Sequence, residues 1–62
     1  MKTIKATPNN HARTFTLRIY HDGKLTAKYR TLKMDKYEFN SCLYNTENDW
    51  KQFLKSDEYY KV

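Results

Sequence analysis

The sequence predicts an α+β domain: a small antiparallel sheet of three or four strands, built on a β-hairpin, with one or two C-terminal helices packed on one face. Two patterns carry this expectation. Residues Thr14 to Arg30 alternate apolar and polar side chains about Asp22-Gly23, the period of two that marks half-buried strands. Beyond Met34 the apolar residues recur at helical spacing instead, first as Phe39, Cys42 and Leu43, then as Trp50, Phe53 and Leu54. Strands gathered in one half and helices in the other make α+β rather than α/β.

Ile4 and Ala6 alternate with Thr3, Lys5 and Thr7, which predicts a short first strand, and Pro8-Asn9-Asn10 is a turn cluster leading into the second. In the second strand Phe15, Leu17 and Ile19 point one way, while Thr14, Thr16, Arg18 and Tyr20 point the other. After the turn, Leu25, Ala27 and Tyr29 are apolar against Lys24, Thr26, Lys28 and Arg30. A two-residue turn at Asp22-Gly23 would set Ile19 opposite Thr26 and Leu17 opposite Lys28. A three-residue loop, His21-Asp22-Gly23, instead matches Ile19 with Leu25, Leu17 with Ala27 and Phe15 with Tyr29. The hydrophobic pattern therefore selects the three-residue loop, with Gly23 in the left-handed conformation that it adopts without steric cost. Near Thr31 the alternation changes phase, because Leu32 and Met34 become the apolar positions; a bulge or the strand end belongs there.

Asp35 reads as the N-cap of a first helix, with Glu38 reaching back as in a capping box. Asn45-Thr46 interrupts the pattern, and Thr46-Glu47-Asn48-Asp49 resembles a second cap, so two short helices are expected rather than one long one. Tyr59-Tyr60-Lys61-Val62 has strand character and predicts a short edge strand.

Sixty-two residues make a single small domain, residues 1–62, close to the lower limit for a self-sufficient hydrophobic core. The sole cysteine, Cys42, excludes an internal disulfide and suits a reducing cytoplasm. No apolar run approaches the roughly 20 residues of a membrane span, and residues 1–20 lack the uninterrupted apolar segment of a signal peptide. A soluble cytoplasmic protein without membrane partners is the expectation. A domain this small gains from extra burial, and the apolar tail with an open edge at Ile4 points to a homodimer.

Charge is the strongest functional signal. Residues 1–33 hold eight cations against one acid, Asp22, whereas residues 34–62 hold four cations against six acids. A small protein so polarised offers one cationic face that an anionic partner finds by long-range attraction. On the hairpin that face comprises Thr14, Thr16, Arg18, Tyr20, Lys24, Thr26, Lys28 and Arg30, without a single acid. Solvent faces of strands are routinely rich in Thr and Lys; the absence of acids is what that habit leaves unexplained. The expected nucleic-acid-binding set is Arg13, Arg18, Tyr20, Lys24, Lys28, Arg30 and Lys33, contacting phosphates and base edges. A two-stranded ribbon is also narrow enough to enter a DNA major groove.

Most aromatics read as core: Tyr29 on the apolar side of its strand, Trp50 with Phe53 and Leu54. An exposed tyrosine among Tyr37, Tyr44, Tyr59 and Tyr60 would mark a protein interface. His11, His21 and Cys42 lack the paired spacing of metal ligands, so no metal or other cofactor is expected. Ser41 and Ser56 have no activating context, and a single Gly cannot build a phosphate cradle, so the chain does not read as an enzyme. Read as a basic three-stranded sheet backed by a C-terminal helix, the layout resembles the arm-binding domains of some phage and transposon integrases in architecture alone, a resemblance that implies DNA as ligand. Nine Lys, six Tyr and five Asn also suit an A/T-rich genome, such as a low-GC bacterium or its phage. Two functions follow as expectations: a small DNA- or RNA-binding protein using the cationic hairpin face, or an accessory protein of a phage or mobile element that binds and modulates a host protein, docking the cationic face on an acidic surface or using the acidic helical half as the contact.

Overall fold

The structure, a computed structural model describing residues 1–62, is a four-stranded antiparallel sheet with two short helices. The strands β1 (Lys2–Asn9), β2 (Thr14–His21), β3 (Lys24–Thr31) and β4 (Tyr59–Lys61) pair in sequence order. Helices α1 (Lys36–Cys42) and α2 (Glu47–Phe53) fill the connection between β3 and β4. The fourth strand and second helix go beyond the three-stranded, one-helix layout of the integrase arm-binding comparison.

The core forms around the apolar side of β2. Phe15, Leu17 and Ile19 are buried there with Ile4, Met34, Phe39 and Trp50. Ile4 pairs with Ile19 and Ala6 with Leu17 on one flank; Ala27 pairs with Ile19 and Tyr29 with Leu17 on the other. Both helices meet the sheet through aromatic rings. Phe39 of α1 and Trp50 of α2 each have their ring centroid 4.9 Å from that of Phe15. Tilted aromatic contacts of this kind add to simple area burial. Tyr59 closes the far side, edge-on to Tyr29 at 5.0 Å, with its hydroxyl donating to the Leu54 carbonyl at 2.7 Å. Of the apolar tail, one ground for expecting a homodimer, Tyr59 thus packs within its own chain, whereas Tyr60 and Val62 stay about half exposed. The other ground, the outer edge of β1, is unpaired.

The hairpin register differs from the expected one. His21 pairs with Lys24 and Tyr20 with Leu25, so the turn is the two-residue Asp22-Gly23, both at positive φ (51° and 83°). Asp tolerates that region better than most residues. The apolar mismatch that a two-residue turn would create is removed by a β-bulge. Thr26 is skipped in the pairing, and beyond it Ile19 faces Ala27 and Leu17 faces Tyr29. Thr26 donates its hydroxyl to the Ile19 carbonyl at 3.1 Å, which fixes the bulge. Leu25 is the residue displaced: instead of meeting Ile19 in the core it is 52% exposed.

Other boundaries move by a few residues. β1 is longer than expected and contains Pro8; the turn is Asn10–Arg13, with Asn9 Oδ1 accepting from the His11 and Ala12 amides. Proline fits there because Phe15, its partner, turns its N–H away toward β3. Pro8 therefore faces the open edge, where a missing donor breaks no ladder bond. β3 ends at Thr31, where the phase change is expected. Asp35 caps α1 by accepting from the Glu38 amide at 2.7 Å, but no return bond from the Glu38 side chain forms. The reciprocal capping box lies at α2 instead, where Thr46 Oγ1 accepts from the Asp49 amide at 3.3 Å and Asp49 Oδ2 from the Thr46 amide at 2.9 Å.

Thr31, fully buried, uses its hydroxyl as a ladder group: Oγ1 accepts the Phe15 N–H at 2.9 Å just where the β2–β3 pairing stops. Thr31→Val keeps the shape and removes the acceptor. It is expected to cost about 1–3 kcal/mol, the usual penalty for a buried donor left without a partner. Thr31→Ser should lose less, since the oxygen remains. Urea unfolding of the three proteins measures the order; a valine variant as stable as the parent would remove this bond from the account.

Candidate nucleic-acid interface

The two faces of the sheet follow from β2. Its odd residues Phe15, Leu17 and Ile19 enter the core, so Thr16, Arg18 and Tyr20 occupy the opposite, open face. The pairings extend that face across the sheet in three rows. Thr3, Tyr20 and Leu25 form the first; Lys5, Arg18 and Lys28 the second; Thr7, Thr16, Arg30 and Tyr60 the third. The middle row is three cations directly opposite one another on adjacent strands. Directly opposed residues have Cβ atoms about 4.5–5.5 Å apart, and like charges in that arrangement destabilise a sheet.

Nothing on the face offsets the charge. The ion pairs of the structure join Asp22 to the N-terminal amine and Glu47 to Lys51 at 3.9 Å, and His21 Nδ1 lies 3.5 Å from the Asp22 carboxylate. None involves Lys5, Arg18, Lys28 or Arg30. Arg18 is instead steadied by a neutral contact, Nη1 donating to Thr7 Oγ1 at 3.2 Å. Lys5 Nζ lies 5.6 Å from the centroid of the Tyr20 ring, a cation–π contact between the first two rows. The arrangement can donate to anionic oxygens from several side-chain N–H groups at once, with aromatic surface at both ends.

Of the residues expected at the site, Arg18, Tyr20, Lys28 and Arg30 are brought together. Lys24 is not: the bulge pairs it with His21, on the side of the sheet opposite Lys28 and Arg30. Arg13 is part of the turn between β1 and β2, at φ 53°, with its carbonyl accepting the Met34 amide at 2.9 Å. Lys33 follows β3 and lines a hollow on the helical side with Glu38 and Glu58, where its charge has acidic neighbours. Thr14, also expected on the open face, is buried at the start of β2. Two members were missed. Lys5 was hidden because β1 read as a short strand without an assigned register, and Tyr60 because nothing fixed the phase of the tail. Alternation about Ile4 was the signal that could have placed Lys5.

Elsewhere, Cys42 is half-buried beside the core, and burial, with the nearby Glu38 carboxylate second, pushes its thiol pKa up. No three of His, Cys, Asp or Glu come together anywhere. No helix is long and apolar enough to cross a membrane. No protein-family model matches the chain, and neither a curated protein nor a solved structure matches it.

The middle row makes a stability prediction. Arg18→Gln relieves two like-charge contacts at once and is expected to raise stability at low salt by about 0.2–1 kcal/mol per relieved pair at most. The gain should shrink in 1 M salt, where the screening length falls to about 3 Å. Thermal melts of parent and variant at both salt concentrations give the comparison; a variant less stable at low salt would show that packing of the arginine stem outweighs repulsion.

Proposed function

We propose that this protein binds nucleic acid, without catalysis, through the open face of its sheet. The observation that carries this reading is the unpaired row Lys5, Arg18 and Lys28, with Arg30 beside it and no acid on the face. A domain near the lower size limit bears a like-charge row at a cost in stability, and a polyanion is the ligand that turns this cost into affinity. The mode differs from a free ribbon in a groove. β1 and β4 flank the hairpin, so the outer strand axes lie about 14 Å apart, already wider than the roughly 12 Å of a major groove. Contact is therefore made by the face and not by an inserted edge. With about four phosphates engaged, log K should fall with log salt at a slope of about −3 to −4. Changing Arg18, Lys28 and Arg30 together to Ala should abolish binding in low-salt anisotropy titrations while the circular dichroism melt stays cooperative. Absence of binding by the parent, or undiminished binding by the triple variant, would overturn the proposal.

A second reading, docking on a host protein, is favoured by a different observation: Tyr37 and Tyr44 on and just past α1 are 87% and 86% exposed, with the half-exposed Leu43 beside them. Exposed tyrosines of this kind are enriched at protein interfaces. A partner captured from nuclease-treated lysate should be lost in the double variant Tyr37→Ser, Tyr44→Ser and retained by the Arg18, Lys28, Arg30 variant. The opposite dependence would exclude α1 as the contact.

A further inference from the structure

Resting on the nucleic-acid reading above, we infer that the ligand is single-stranded, with unstacked bases lying on Tyr20 and Tyr60. The two rings stand in the first and third rows of the open face, at the ends of a diagonal that runs from β2 to β4. Tyr20 stands on β2 in the row of Thr3 and Leu25; Tyr60 stands on β4 opposite Arg30. They are separated by two strand spacings across the sheet and four residues along it, about 16 Å on the diagonal by strand geometry. Arg18, Lys28 and Arg30 lie along the space between them, and Lys5 on β1 flanks the Tyr20 end. A strand crossing that diagonal meets an aromatic ring, a band of cations, then a second ring.

Each ring is also set in exposed apolar surface. Leu25, 52% exposed, is directly opposite Tyr20, and Val62, 52% exposed, follows Tyr60 by two residues. Tyr60 itself is 46% exposed. Neither tyrosine hydroxyl has a protein partner, in contrast to Tyr59, whose hydroxyl is held by the Leu54 carbonyl. Lys5, poised over the Tyr20 ring, brings a charge to the backbone of whichever nucleotide stacks there. A duplex cannot use these platforms, because its base faces are already stacked on one another. It could engage only the cations. A single strand uses both, and stacking on a side-chain ring tolerates any base.

Anisotropy titrations at low salt with a labelled oligothymidylate and a labelled duplex of equal length decide the matter. The parent is expected to bind the single strand about a hundred-fold more tightly, each of the two stacked bases contributing about ten-fold. Tyr20→Leu and Tyr60→Leu should each weaken the single strand by about ten-fold and leave the duplex unchanged; Tyr60→Phe, which keeps the ring, should behave as the parent. Thermal melts identify any variant that fails to fold, and for such a variant a threonine exchange at that position, which keeps strand propensity without a ring, carries the comparison. Equal affinity for both probes, or leucine variants that bind like the parent, would overturn the inference and leave the cationic-face reading standing. Binding to neither probe by folded parent would overturn both.

Discussion

Everything in this domain is referred to the buried strip Phe15, Leu17 and Ile19 on β2. It is the one strand paired along its length on both sides, and its apolar residues touch every other layer: Ile4 and Ala6, Ala27 and Tyr29, Phe39 and Trp50. Only nine of 62 residues are buried, so no second core can compensate if this strip is lost. The same alternation that commits the odd residues of β2 inward commits Thr16, Arg18 and Tyr20 outward. Fold and candidate interface are two sides of one strand, and neither can be shifted in register without inverting the other.

That coupling gives the Thr26 bulge its meaning. The Asp22-Gly23 dipeptide is suited to a tight two-residue turn, but a regular ladder from that turn would set threonine and lysine against the apolar side of β2. Skipping one residue reconciles a locally favoured turn with a globally required register. The hydroxyl of Thr26 on the Ile19 carbonyl holds the kink, and Lys24 and Leu25 are turned over as a result. Lys24 thereby leaves the cationic face, and Leu25 joins it beside Tyr20. One extra residue thus sets the composition of the open surface.

Alternation and helical spacing, read from the chain alone, were enough for the α+β class, the hairpin strands, both helices with their Asp35 and Thr46 caps, and the edge strand at Tyr59. Those features are local, each decided by a handful of neighbouring residues. The register was not legible, because two mechanisms, a longer loop or a bulge, both bring Leu17 opposite an apolar partner, Ala27 in the first and Tyr29 in the second, and alternation alone does not choose between them. The candidate interface inherits this division. Arg18, Lys28 and Arg30 lie beyond the bulge and follow simple alternation. Lys24 lies before it, Arg13 and Lys33 lie in connections where alternation says nothing, and Lys5 and Tyr60 sit on flanking strands whose pairing is a long-range property.

The middle row exposes a conflict between stability and charge that a domain of this size can barely accommodate. Stability of a small domain is a few kcal/mol at most, and opposed like charges on adjacent strands each remove a fraction of that. Asp22, the sole acid in the first half, sits in the hairpin turn beside the N-terminal amine and His21, away from the row, and does not relieve the repulsion. Arg18 is held by a hydroxyl instead, which orients the guanidinium without neutralising it. Any ligand that neutralises the row and binds only the folded state must therefore add its binding free energy to folding. A polyanion stabilises such a sheet twice over, through its own contacts and through the repulsion that it removes.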